Sequence, residues 1–330
     1  MKVTGEVLQR NQIGRSSPLE IAAVGTGLWA VPGSQWGPAE DQSTLDAIDT
    51  ALEAGCNFFD TADVYGGGRS EELLGQAMKG RREQFVVATK IGWLNYNEEC
   101  NRTKYDSVDI LKADVERSLK RLQTDWIDVL QCHVFYEEPN TPVFVEGFHE
   151  LQREGKIKSW GVSTGDISLL EIFNASGDCD VLQVDYSLLN RTAEQDLLPY
   201  CLENDIGVIV RGPIAMGLLA GKFNSDSRFP DDDFRQAWIN EPDQHQQFLS
   251  DLEVVGKVRE IVPDGQTMAQ FALRFAQSHP AITTIIPGAR NGGQAADNVA
   301  TLEMGPLSLD ELDGCNQIVA PKSGRKIWPA

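Results

Sequence analysis

Residues 107–133, SVDILKADVERSLKRLQTDWIDVLQCH, contain the change of hydrophobic period that decides the fold. Val108, Leu111, Val115, Leu119 and Leu122 recur every three or four residues, drawing one apolar stripe along a helix. From Trp126 the pattern becomes a short, mainly apolar run, WIDVLQCH (126–133), consistent with a parallel strand covered on both faces.

The same alternation extends in both directions. Further strands are predicted at EIAAVG (20–25), CNFF (56–59), QFVVATK (84–90), IKSWGV (157–162), VLQVD (181–185), IGVIV (206–210) and ITTII (282–286). A helix over 41–54 carries Leu45, Ile48 and Leu52 and stops at Gly55, and Ser70 before Glu71-Glu72-Leu73-Leu74 reads as an N-cap. Eight such units predict an α/β fold, a (β/α)8 TIM barrel, in preference to an open doubly wound sheet. The whole of 1–330 is expected to form one domain. Residues 1–18 read as a hairpin or cap, and 211–246, rich in Gly, Pro and Asp, as a long functional connection.

Composition narrows the function. Twenty-nine Lys and Arg against 49 Asp and Glu leave a formal net charge of -20, a field that repels nucleic acid and anionic membranes. An anionic cofactor would need a local basic pocket. The cysteines at 56, 100, 132, 179, 201 and 315 form no CxxC pair or zinc-spaced cluster, so reduced thiols in a cytoplasm and no metal site are expected. The N-terminal stretch has no apolar signal region, and no apolar run is long enough to span a bilayer.

Barrels of this kind build their sites where strands end. Asp60 ends the second strand and leads into Thr61-Ala62-Asp63-Val64-Tyr65; Lys90 ends the third; His133 ends the fourth. Each alone is an ordinary strand-end residue. Together they bring an acid, a phenol, an amine and an imidazole to one rim. A cation beside the phenol eases proton donation to a developing alkoxide. Asp60 would hold Lys90 charged, and His133 would hydrogen-bond a carbonyl oxygen. A Schiff-base role for Lys90 is the least favoured chemistry, because pairing with Asp60 keeps that amine protonated.

In order and spacing, FFDTADVYGGGRSEELLGQAM (58–78), ATK (88–90), SLKRLQTDWIDVLQCH (118–133), GKIKSWGVS (155–163), LQVDYSLLNR (182–191), GLLAGKF (217–223) and IIPGAR (285–290) resemble the aldo-keto reductase family over nearly the whole chain. The family's Asp-Tyr-Lys-His tetrad falls on Asp60, Tyr65, Lys90 and His133. The resemblance implies a barrel binding NADP(H) in an extended pose across its carboxyl end, consistent with the lack of a strand-linked GxGxxG.

The resemblance also implies that Gly27, Leu28 and Trp29 flank the nicotinamide and that Ser163 and Gln183 hold its carboxamide. RGPIAMGLLAGKF (211–223) resembles the family's cofactor-covering stretch, bringing Arg211, Gly212, Pro213, Gly217, Leu219 and Lys222 to the cofactor. Arg211 stands where many relatives carry an aromatic residue. After the eighth strand, Gly288 and Arg290, with Gln294 and Asn298 on one helix face, are expected at the adenosine phosphate; preference for NADP over NAD rests on Arg290. Trp29, Trp93, Phe135 and Tyr136 are candidates for the substrate pocket wall. Residues 224–246 are expected to form an acidic surface excursion more than a cover over the site.

The function implied is interconversion of a small carbonyl, or sugar carbonyl, with its alcohol. The alternative is a cofactor-binding regulatory subunit like the β subunits of potassium channels. Substrate, direction and oligomeric state are not written in the sequence.

Overall fold

Seven of the eight predicted strands meet their neighbours in an eight-stranded parallel sheet in the computed structural model, which describes residues 9–15, 17–92, 105–134 and 139–327. A short antiparallel hairpin comes first, β1 (Arg10–Ile13) and β2 (Leu19–Ala22). The barrel strands are β3 (Thr26–Gly27), β4 (Phe58–Asp60), β5 (Val86–Ile91), β6 (Ile127–His133), β7 (Ile157–Ser163), β8 (Val181–Asp185), β9 (Gly207–Arg211) and β10 (Ile282–Ile285), ordered β3 to β10 around the sheet. Single parallel bridges, Val24 to Ile285 and Gly27 to Gly288, join the two edges and close the (β/α)8 barrel.

The first strand departs from expectation. EIAAVG does not run as one barrel strand: its first part pairs within the hairpin, and only Thr26–Gly27 pairs with β4. The reason lies in the barrel floor. Ile13 and Ile21 from the hairpin pack with Phe58, Ala88, Val129, Val181 and Ile209 from the strands, and this apolar cluster fills the amino-terminal end of the barrel.

Strand geometry then fixes what stands above that floor. Side chains alternate, so residues two further along each strand share the inward face. Above Phe58 comes Asp60, above Ala88 comes Lys90, above Val129 come Gln131 and His133, and above Val181 come Gln183 and Asp185. Arg211 follows Ile209. The outward faces pack with the surrounding helices in one large apolar core.

The helix Val108–Leu122 has Ser107 as its N-cap, accepting from the Ile110 amide, and buries Leu111, Val115, Leu119 and Leu122. Ser70 is not an N-cap. The helix Arg69–Met78 begins after Gly68, and the buried Ser70 hydroxyl instead donates to the Leu28 carbonyl at 2.8 Å and accepts from Thr61 at 2.6 Å. Burial beside polar groups outweighs capping preference there. The segment 211–246 is also not a plain loop: it contains the 3-10 turns Ala215–Ala220 and Phe234–Gln236, the helix Ala237–Asn240 and the start of the helix Pro242–Ile261. No described helix is long and apolar enough to cross a membrane.

Candidate active site

The carboxyl rim carries a connected polar set. Asp60 and Lys90 face each other from adjacent strands, with Lys90 Nζ 2.5 Å from Asp60 Oδ1 and both side chains shut off from solvent. The ammonium also donates to the Thr61 carbonyl at 2.7 Å and to the Tyr65 hydroxyl at 3.4 Å. Tyr65 reaches the set from a tight turn, Tyr65–Gly68, in which Gly66, Gly67 and Gly68 all have positive φ, a conformation that side chains disfavour. The His133 ring stands edge-on to Tyr65, 5.9 Å between centroids. Gly92 lets its own backbone pass close to His133, since a Cβ there would lie 2.3 Å from the His133 carbonyl oxygen.

Electrostatics sort the four groups. Burial opposes the Lys90 charge, but Asp60 and Tyr65 together raise its pKa above the ordinary value. For Tyr65, burial outweighs the attraction of Lys90, so the phenol is raised and stays protonated at neutral pH. His133 is held well below its ordinary value by burial and by the charges of Lys90 and Arg211, so its imidazole is neutral. This set holds one loaded proton on Tyr65, one fixed cation beneath it and one neutral imidazole beside it.

The other expected residues fall around the same mouth. Gly27 pairs in register with Asp60, Leu28 donates its amide to the Asp60 carbonyl at 2.8 Å, and Trp29 stacks on Tyr65 at 6.0 Å. Ser163 lies between His133 and Gln183 in the strand register. Gln183 Nε2 donates to Asp60 Oδ2 at 2.8 Å and to Gln131 Oε1 at 3.2 Å. Arg211 pairs in register with Asp185, whose carboxyl is raised by burial against the pull of Arg211 and of the Asn190 amide. Pro213 and Leu219 are buried, whereas Lys222 is exposed and rests 5.4 Å from the Phe223 ring. Trp93, Phe135 and Tyr136 lie outside the described residues.

At the seam the helix Gly292–Val299 starts later than its sequence suggests. Arg290 precedes it, so Arg290, Gln294 and Asn298 do not share a helix face; Asn291 caps the helix instead. The contact is made through the backbone, the Arg290 amide donating to Gln294 Oε1 at 2.9 Å and Asn298 Nδ2 to the Gly288 carbonyl at 3.2 Å. The Arg290 guanidinium touches the Pro38 carbonyl.

The segment 224–246 is not a surface excursion. Phe234 lies flat over Trp29, 6.0 Å apart with planes 4° from parallel, and meets Trp36 edge-on at 4.7 Å. Arg235 binds Asp233 and sits among the rings of Trp36, Phe223, Phe229 and Phe234. Aromatic burial pulls this acidic stretch back onto the mouth. Trp36, Phe234 and Gln131 are site neighbours that sequence reading missed. Gln131 had a signal, standing two residues from Val129 and from His133 on one strand face.

This arrangement matches a known family along its length. The family model for the aldo/keto reductase family covers residues 23–320. The chain belongs to the aldo/keto reductase family. The aldo-keto reductase YhdN of Bacillus subtilis is 33% identical over 287 residues, 84% of this chain and 83% of that protein. The NADH-specific methylglyoxal reductase of Escherichia coli is 31% identical over 90% of this chain and 94% of its own. An aldo-keto reductase of Klebsiella pneumoniae solved in complex with NADPH superimposes with a TM-score of 0.74 at 25% identity, covering 98% of this chain and 100% of that one. As a member of this family, the chain is an oxidoreductase.

The residues present fit a dinucleotide. Among the described residues, Lys222 has no ion pair, and its pKa is lowered by partial desolvation of its amine, although the residue as a whole is exposed, and by the nearby charges of Arg235 and Arg290. Three cations gathered at one place in so acidic a chain suit phosphate, with only Arg235 of the three paired to a carboxylate, Asp233. Gly288, across the seam from Gly27, has no atom nearer than 3.9 Å to where a Cβ would stand, so backbone lies open on that side.

Proposed function

We propose that the protein is an NADP(H)-dependent reductase that interconverts a small aldehyde, ketone or sugar carbonyl with its alcohol. The observation that carries this reading is the buried chain from Asp60 through Lys90 to the Tyr65 hydroxyl, with His133 against the Tyr65 ring. When bound, the nicotinamide supplies or takes the hydride. Tyr65 gives its hydroxyl proton to the oxygen of the reduced carbonyl, and Lys90 stabilises the phenolate left behind. Asp60 keeps Lys90 charged and in place. His133, being neutral, orients the carbonyl oxygen through a ring N–H and is not the proton source. Reversal needs the Tyr65 phenolate, so alcohol oxidation gains with rising pH.

Ser163 and Gln183 at the barrel centre, the stretch Arg211 to Lys222 and the Gly288–Arg290 turn form the expected cofactor track, and Trp29 the substrate wall. NADP in place of NAD rests on Arg290 and Lys222; the NADPH complex of one relative supports it, and the NADH specificity of another marks what must be measured. A cytoplasmic setting is supported by five buried free cysteines among the described residues.

The test is fluorescence titration with NADPH and NADH, then assays on aldehydes, ketones and sugars, comparing wild type with Tyr65→Phe. Loss of turnover by about 1,000-fold or more with cofactor affinity retained is expected, because only the proton donor is removed. A variant that keeps most of its rate rejects Tyr65 as the acid. Tight NADPH binding without turnover on any carbonyl replaces the reductase reading with a regulatory one.

A further inference from the structure

One layer of the barrel interior is polar where the layer beneath it is apolar. Gln131 stands directly above Val129, in register with Lys90, and is fully buried. A buried amide left unpaired costs about 1–3 kcal/mol, so its partners are informative. They lead to Asp60.

An ionised carboxylate only accepts hydrogen bonds, so Gln183 must turn its NH2 toward Asp60 Oδ2, 2.8 Å away. The second hydrogen of that NH2 then points at Gln131, 3.2 Å away, which must answer with its carbonyl oxygen. Gln131 in turn directs its own NH2 to the same Asp60 oxygen, at 3.5 Å. Only one orientation of the two amides satisfies all three contacts. With Oδ2 occupied in this way, Oδ1 is left to Lys90, whose other bonds go to Thr61 and Tyr65.

We propose that Gln131 is a positioning residue for proton transfer: its Oε1 locks the Gln183 amide, which holds Asp60 and thereby keeps Lys90 beneath Tyr65. The role rests on the assignment of Tyr65 as the acid, but it can be measured without turnover. Replacing Gln131 by an apolar residue frees the Gln183 amide to rotate and removes a donor from Asp60. Lys90 then loses its fixed place under the phenol, and Tyr65 becomes harder to ionise. The charged and titratable groups facing Tyr65 are Lys90, Asp60, Arg211 and His133, all unchanged by the substitution.

The experiment is an ultraviolet difference titration of the cofactor-free protein against Tyr65→Phe, in wild-type and Gln131→Leu backgrounds. The phenol midpoint should rise by about one pH unit in Gln131→Leu, equivalent to about a tenfold change in ionisation. In assays, the alkaline rise of alcohol oxidation should move by the same amount, with kcat down about tenfold and carbonyl KM within about twofold. Gln183→Leu should reproduce the shift, and the double variant should add little, since one residue acts through the other. Gln131→Met gives the same reading should the branched leucine not pack. A Tyr65 midpoint that stays in place in the folded variant, or shifts from Gln131 and Gln183 that simply add, overturns the proposal. A moved midpoint in a protein whose wild type reduces no carbonyl upholds the role of Gln131 while rejecting the reductase reading.

Discussion

Lys90 Nζ approaches Asp60 Oδ1 to 2.5 Å, and neither side chain is open to solvent. A buried pair of this kind is costly to break from one side, because the remaining charge has no water to turn to. Asp60→Asn should therefore lower unfolding free energy by about 3 kcal/mol or more, read from urea denaturation. Adding Lys90→Met should recover part of that stability and none of the turnover. Equal stability of wild type and Asp60→Asn would mean that Lys90 is neutral.

Cofactor choice should follow Arg290. Arg290→Ala is expected to weaken NADPH binding about tenfold or more, as loss of a hydrogen bond between charged groups does, and NADH binding by no more than about twofold. Fluorescence titration with both dinucleotides decides it. Equal weakening of the two would move the phosphate contact away from Arg290.

The pH dependence of stability should carry the mark of His133. Its folded pKa is depressed by burial and by Lys90 and Arg211, so below about pH 6.5 the unfolded chain binds a proton that the folded chain refuses. Stability from this group is present above that pH and is lost as pH falls, with a slope of at most about 1.4 kcal/mol per unit. Comparing wild type with His133→Asn by denaturation from pH 7.5 to 5 isolates the slope. A difference that stays flat over this range would show that His133 titrates as an ordinary histidine.

Arg235 should prove a keystone of the mouth. It binds the buried Asp233 through Nε at 2.9 Å and Nη2 at 2.5 Å while lying 4.9 to 5.9 Å from four aromatic rings. Arg235→Lys keeps the charge but not the planar fork, so it should lower Tm nearly as much as Arg235→Ala. It should also raise carbonyl KM, because Phe234 would lose its seat on Trp29. A lysine variant with wild-type Tm and KM would reduce Arg235 to a surface charge.

Much of this was legible in the sequence because two periodicities carry the fold. The 3.6-residue stripe of 108–122 and the apolar run of 126–133 place a helix and a strand within a residue or two of where they lie. Strand ends then pointed to Asp60, Lys90 and His133, which inward alternation carries to the same rim. What escaped is equally physical. The hairpin borrowed Leu19–Ala22 because Ile21 is needed in the floor. The stretch FPDDDFR reads as acidic, yet its aromatic residues, with Trp36 and Trp29, decide where it lies. Gln131 hid inside an apolar run, where alternation by two would have exposed it.

The barrel is joined unevenly around its circumference. Where β6 meets β7 the ladder runs from Ile127 to His133, but at β3 a strand of two residues and two single bridges do the joining. Backbone amides along Val24 to Gly27 should thus exchange with deuterium sooner than those of β6, the sheet opening like a coat at its buttons. A ligand gripped by both Gly27 and Gly288 would fasten that opening, so occupancy should slow exchange along the seam and lift the melting temperature of the whole chain.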